Sequence, residues 1–300
     1  MGMRAGIFWA VIMLGPALGA PALAEPRPFE LRDGQVVITV TLNGRELPAL
    51  LDTGATESVI ERRLARELGI RSQEVRGGGA VGASGRPVYF GFTSPVTVDI
   101  GAGAVTRRIG TYPTGKTFAD DGVRLLIGMD LLYNMAVTLD FEKMTVDFQR
   151  SKTFVAPERA PLEMTQSQSG RPRRTLSVGL AGTQANLLLD TAASGALHLD
   201  STFVAGTPTL DILPASRTRI TGLDGSHEHD AILVPQVTLG GQVFESVRAS
   251  SGSFARLGAD DIDGVVGVDL LKRFNLVIDF GRNRVWMTPR ANHDALKAEE

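Results

Sequence analysis

Apolar residues alternate with polar ones through Val36, Ile38, Val40 and Leu42, broken by one apolar exception at Val37. A period of two predicts a half-buried β-strand. Asn43-Gly44 follows as a hairpin turn, and Leu47 to Leu51 returns as a second strand. The pattern recurs late in the chain: Leu176 to Leu180, a turn at Ala181-Gly182, then Ala185 to Leu189. Pro95-Val96-Thr97-Val98-Asp99-Ile100-Gly101 resembles Pro235-Gln236-Val237-Thr238-Leu239-Gly240. Val137 to Phe141 and Val277 to Phe280 both read as strands that enter a tight turn and a further strand. Helical spacing is scarce. Ile60, Leu64, Ala65 and Leu68 predict one helix, and short helices are expected after Gly128 and Gly267.

The repeat extends to the polar residues. Each returning strand runs into an Asp-Thr pair, Asp52-Thr53-Gly54-Ala55 in the first copy and Asp190-Thr191-Ala192-Ala193 in the second. Each pair precedes an apolar segment with a central Gly, Leu126-Ile127-Gly128-Met129-Asp130 and Val265-Val266-Gly267-Val268-Asp269. The separations are 76 positions from Asp52 to Gly128 and 77 from Asp190 to Gly267. A mostly β protein of two duplicated lobes is expected: an N-terminal lobe over 25–156, a linker over 157–174 rich in Pro, Ser, Gln and Arg, and a C-terminal lobe over 175–300. The linker's Arg171, Arg173 and Arg174 read as a solvated basic cluster.

Residues 1–24 stand apart. Arg4 precedes an apolar run, and Ala22-Leu23-Ala24 has the small-x-small form of a cleavage site, so a secretory signal peptide and a periplasmic or secreted product are expected. No later stretch is long and apolar enough for a helical membrane span. A formal net charge of −2 gives no support for nucleic-acid binding. The absence of Cys excludes thiol catalysis, disulfides and thiolate metal sites.

A carboxylate at the end of an apolar strand sits at the edge of a core. If two such copies pack about a twofold axis, Asp52 and Asp190 face each other and cannot both ionise readily. One is then an acid and the other a base, and a water between them can be activated without metal or cofactor. The bland alternative is that each Asp stabilises its own turn. Thr53 and Thr191 offer hydroxyls to bond across the interface. Gly54 permits close backbone approach. Gly128 and Gly267 either let a strand pass close to the Asp loop or simply end strands. Asp130 and Asp269 read as caps of short helices, and Asp140 and Asp279 as structural residues of strand-turn units. His227-Glu228-His229 lacks helical i, i+4 spacing and reads as a loop rather than a metal site. His198, beside an apolar run, reads as a packed residue.

Asp52-Thr53-Gly54-Ala55, with the later Ile127-Gly128-Met129-Asp130-Leu131-Leu132 and a second copy of both, resembles the retropepsin and pepsin clan of aspartic proteases. The resemblance implies a water-activating dyad of Asp52 and Asp190, support from Thr53, Gly54, Thr191 and Ala192, and a peptide or protein substrate bound as an extended strand. It implies no cofactor. It also implies hairpin flaps, for which Gly82 and Gly85 in the first copy and Gly222 and Gly225 in the second are candidates. Ala55 and Ala193 follow the retropepsin pattern, which lacks a hydroxyl there, and mildly acidic activity is expected. The second motif departs at Ala192, where Gly is expected; a positive φ at that position would strain Ala. The alternative function is an extended-peptide-binding protein of the same fold that does not hydrolyse its ligand.

Overall fold

The computed structural model describes residues 25–81, 87–113, 122–167, 173–222, 225–253 and 261–290. The signal-peptide expectation at 1–24 and the flap candidates Gly82 and Gly85 lie outside them.

The architecture is mostly β. In the first half, Gln35–Leu42 pairs antiparallel with Arg45–Leu51, in register from Val37↔Leu50 to Leu42↔Arg45. The turn uses Asn43 at φ 48° and Gly44 at φ 81°, two successive left-handed residues that match the twist of a two-residue hairpin. Arg45–Leu51 then runs parallel to Leu125–Ile127, which is antiparallel to Val59–Glu61. The second half repeats each step. Arg174–Leu180 pairs with Thr183–Leu189, Thr183–Leu189 runs parallel to Gly264–Val266, and Gly264–Val266 is antiparallel to Leu197–Asp200. Its turn places Ala181 at φ 50° before Gly182 at φ 88°, so the hairpin geometry is kept even where Ala replaces Asn.

A third sheet layer joins the halves. Met135–Asp140 and Thr145–Arg150 form one hairpin, Phe274–Asp279 and Arg284–Pro289 another, and their inner strands pair antiparallel from Ala136↔Asp279 to Leu139↔Leu276. Arg27–Arg32 adds to one side and Leu162–Glu163 to the other. Val137, Leu139, Leu276 and Ile278 are fully buried beneath it and belong to the same apolar core as Leu51, Ile127, Leu189 and Val266. At about 25 cal/mol per Å² of apolar surface, such continuous burial is what couples the two halves.

Several expectations change. The helix foreseen over Ile60–Leu68 is shorter, Arg62–Glu67, because Ile60 is committed to the strand Val59–Glu61, where it pairs with Leu125 and Thr111. Glu61 ends the strand and caps the helix by accepting from the Leu64 amide. The short helices after the central glycines are Met129–Leu132 and Val268–Leu271, but Asp130 and Asp269 lie inside them and Gly128 and Gly267 occupy the N-caps. Segment 157–174 is not wholly solvated: Leu162–Glu163 and Thr165–Gln166 are stitched to second-half strands, and Met164 and Ser167 are buried. His227-Glu228-His229 lies in the long strand Gly225–Leu239 rather than in a loop, and its alternation leaves Glu228 exposed and buries His229.

Candidate active site

The two Asp-Thr turns meet where the halves join. The parallel strands Leu125–Ile127 and Gly264–Val266 each run beside one of them: the Asp52 amide donates to the Ile127 carbonyl and the Asp190 amide to the Val266 carbonyl. The following glycine then crosses the turn at close range. A Cβ on Gly128 would lie 2.6 Å from the Glu57 carbonyl carbon, and one on Gly267 would lie 2.4 Å from the Gly195 oxygen. Both glycines are thus demanded by space at the crossing, the first of the two alternatives raised by the sequence.

Thr53 and Thr191 come together at the centre. Each backbone N–H donates to the other's Oγ1, at 3.3 Å from Thr53 and 3.2 Å from Thr191. Each hydroxyl donates onward across the interface, Thr53 to the Leu189 carbonyl and Thr191 to the Leu51 carbonyl. Both residues are buried, so every one of these groups would cost free energy if left unpaired. Replacing Thr191 by Val is therefore expected to destabilise the protein by about 1–3 kcal/mol. Urea denaturation at neutral pH measures this, and a midpoint equal to wild type would show that the crossed bonds do not join the halves.

This interlock presents the carboxylates. Asp52 Oδ1 accepts from the amides of Gly54 at 2.9 Å and Ala55 at 2.6 Å, and Asp190 Oδ1 accepts from the amide of Ala192 at 2.7 Å. The two side chains hydrogen-bond to each other. Gly54 lies tight against this pair, since a Cβ there would sit 2.7 Å from Asp190 Oδ2. Burial first, and the neighbouring Asp190 charge second, push Asp52 well above the usual carboxylate range. Burial also raises Asp190, against the pull of its own loop amides, the Arg173 charge and the bond from Asp52. Two neighbouring carboxylates raised in this way titrate as a pair rather than singly.

Ala192 has no left-handed φ, which removes the anticipated strain. Its methyl packs against a small apolar cluster of first-half residues, including Leu50, Val59, Tyr112 and Leu126, together with Ala55. Ala193 packs in turn on Leu188, Ile262 and Val265. Gly222 pairs with Gly225 at the end of the hairpin formed by Asp211–Gly222 and Gly225–Leu239. The corresponding first-half hairpin, Ser72–Val81 with Pro87–Thr93, is paired up to Val81↔Pro87.

Other residues hold the turns in place. Asp130 accepts from both the amide and the hydroxyl of Ser58 at 2.7 and 2.6 Å and forms an ion pair with Arg107. It clamps the first turn instead of capping its helix. Its pseudo-equivalent Asp269 pairs with Lys272 at 2.6 Å. The second turn is held by His198, whose Nε2 bonds the Ser194 carbonyl while Nδ1 bonds Ser250. Burial lowers its pKa, as suits a packed imidazole that stays neutral. Asp140 receives the amides of Glu142 and Lys143, and fully buried Asp279 receives Ser151 and Arg282, so both organise turns. Gln35 was not singled out by the sequence, yet it reaches over to the second turn, where its Nε2 donates to the Ala192 carbonyl. The adjacent Val36 amide donates to the Thr191 carbonyl. Among the described residues no group of three or more His, Asp or Glu is placed to hold a metal ion.

Residues 38–134 match the family described as "gag-polyprotein putative aspartyl protease". Over that segment the chain is retropepsin-like, as its sequence resemblance implied. Among solved structures, one titled EIAV protease complexed with the inhibitor HBY-793 is 28% identical, covering 33% of this chain and 85% of that one with a TM-score of 0.26. No curated protein matches.

Proposed function

We propose that the protein is an exported aspartic endopeptidase in which Asp52 and Asp190 activate water for attack on a peptide carbonyl. The observation that carries this reading is the meeting of two part-buried carboxylates, each at the end of a repeated strand and each held by the amides of its own turn. Ionised Asp190 takes a proton from the water as its oxygen adds to the carbonyl carbon. Protonated Asp52 gives its proton to the carbonyl oxygen. The tetrahedral intermediate then collapses as Asp190 returns a proton to the leaving amine and Asp52 recovers one from the hydroxyl. Thr53 and Thr191 hold the two turns at fixed separation, Gly54 leaves the carboxylates room, and Ala192 supports the second turn by packing its methyl on the neighbouring apolar cluster.

In this reading residues 25–156 and 175–300 are two lobes, 157–174 connects them, and the substrate lies between them as an extended strand. The hairpin that ends at Gly222 and Gly225 covers it as a flap, and Gly82 and Gly85 are the flap candidates of the first lobe. Residues 1–24 direct export to the periplasm or the exterior and are removed. No helix among the described residues is long and apolar enough to cross a membrane.

The test is incubation of chain 25–300 with an unfolded protein from mildly acidic to neutral pH, beside the variant carrying Asp52→Asn and Asp190→Asn together. Internal cleavage that disappears in the double variant is expected, with the higher rate on the mildly acidic side. Cleavage that persists in the double variant would overturn the dyad. Saturable binding of an extended peptide with no cleavage by the wild-type chain would replace the endopeptidase reading with that of a peptide-binding protein.

A further inference from the structure

The linker places a cation beside the paired carboxylates. Thr165–Gln166 pairs with the start of Arg174–Leu180, and the Ser167 amide donates to the Arg173 carbonyl at 2.8 Å, so the chain at Arg173 is held in a continuing antiparallel ladder. On its other edge Thr175 pairs with Leu188. Arg173 lies two residues beyond Thr175 and Asp190 two residues beyond Leu188, so both leave the paired stretch at the same end. The first half has the same construction: Val37 pairs with Leu50, and Gln35 and Asp52 lie two residues beyond them at the same end. Gln35 is thus the pseudo-twofold mate of Arg173, and Gln35 does reach over the join to the opposing turn. One half presents a neutral amide at this position and the other a guanidinium.

The Arg173 charge acts on both carboxylates, pulling Asp52 and Asp190 down against the burial that raises them. One cation therefore serves both carboxylates. Arg174, the next residue, is turned to other work, with Nε donating to Asn283 Oδ1 at 3.0 Å.

We propose that Arg173 is a positioning residue for the dyad's charge: held by the linker ladder at the end of the strand pair where Asp190 emerges, its guanidinium keeps one of the two carboxylates ionised as the medium acidifies and so sets the acid limit of activity. This rests on the reading of Asp52 and Asp190 as a proton-sharing pair. A guanidinium suits the task because it stays charged over the whole range in which carboxylates titrate. Beside a singly negative pair, it also offsets the cost of holding that charge partly away from water. The linker then does more than tie two lobes together. It supplies a basic group that the duplicated turns lack.

The experiment uses chain 25–300 labelled with ¹³C at the aspartate carboxyl groups, with the dyad signals assigned by their loss in Asp52→Asn and Asp190→Asn. Their titration is followed in wild type, Arg173→Gln, Arg173→Lys and Gln35→Arg, beside the pH profile of kcat/KM on a peptide. Arg173→Gln, which copies the other half, is expected to raise the midpoint at which the singly ionised pair takes up its second proton, and the acid limb of kcat/KM with it, by about one pH unit. Arg173→Lys should restore most of the shift. Gln35→Arg, adding a second cation, should move the midpoint the other way, and it carries the test if Arg173→Gln does not fold. A midpoint unmoved by Arg173→Gln, or by Gln35→Arg in its place, would overturn the proposal, as would a Lys variant that behaves like Gln. The carboxyl titration needs no turnover. Shifted midpoints without cleavage uphold the role of Arg173 and remove the endopeptidase reading; cleavage with unshifted midpoints does the reverse.

Discussion

Asp52→Asn and Asp190→Asn are each expected to lower kcat/KM by at least about 10²–10⁴-fold, the usual worth of a positioned acid or base, while raising the melting temperature at neutral pH. The two effects share one cause. Asn is close to isosteric with Asp, and its carbonyl oxygen can still accept from the turn amides that now serve Asp52 Oδ1 and Asp190 Oδ1. What it removes is a part-buried ionisable group whose pKa stands above the ordinary carboxylate value of 3.8, through burial and, for Asp52, the adjacent Asp190 charge. Between that value and the raised one, the folded chain holds a proton that the unfolded chain has released. Stability must therefore fall as pH rises through this window, and the deficit stays in place above it. The Asn variants escape the deficit, so their advantage should be present at neutral pH and vanish as pH drops below the unfolded carboxylate range. Thermal unfolding followed across acid to neutral pH measures this. Two Asn variants that melt below wild type at neutral pH, with a gap that does not change on acidification, would show that the carboxylates are stabilising turn residues and not a strained pair.

The strands and the repeat were legible because each depends on local pattern. Alternation at Val36 to Leu42 encodes a strand with one face buried, and Asn43-Gly44 and Ala181-Gly182 encode turns whatever surrounds them. The matched spacing of the two Asp-Thr pairs carried the candidate site, because residues at equal positions in repeated units occupy equivalent places when those units pair. What failed was set by tertiary partners. Ile60 has helical spacing with Leu64 and Leu68, but the neighbouring strands claim it first. Asp130 stands where a helix cap is expected, yet Ser58, 72 residues earlier in the chain, takes its carboxylate. Arg173 looked like one member of a solvated cluster since composition alone carries no register. Applying the repeat's own offset of 138 positions between Asp52 and Asp190 to Gln35 would have found it.

Gly54→Ala and Ala192→Gly, the same exchange made in opposite directions at equivalent positions, are expected to have unequal effects. The reason lies in what each position faces. Neither residue has a left-handed backbone, so conformational strain does not separate them. Gly54 faces the paired carboxylates, where a new methyl would stand 2.7 Å from Asp190 Oδ2 and 2.9 Å from its Cγ. Such contacts are too short to keep, and relief requires the carboxylate to swing away or the turn to open. Misplacement of a reacting group by about 1 Å is enough to cost on the order of 10²-fold in rate, so Gly54→Ala should lose about that much kcat with less change in KM. Ala192 faces the other way, with its methyl against the cluster that includes Tyr112 and Leu126. Removing that methyl leaves the carboxylates where they are and should keep activity within about threefold, at a stability loss of roughly 0.5–1 kcal/mol from lost burial and added backbone freedom. Steady-state kinetics and urea midpoints for the two variants separate these outcomes. Full activity in Gly54→Ala would mean that the close approach is not needed for catalysis. A large gain in activity from Ala192→Gly would mean that the second turn is held back by its methyl, and that the departure from the Asp-Thr-Gly pattern weakens the dyad instead of merely filling a pocket beside it.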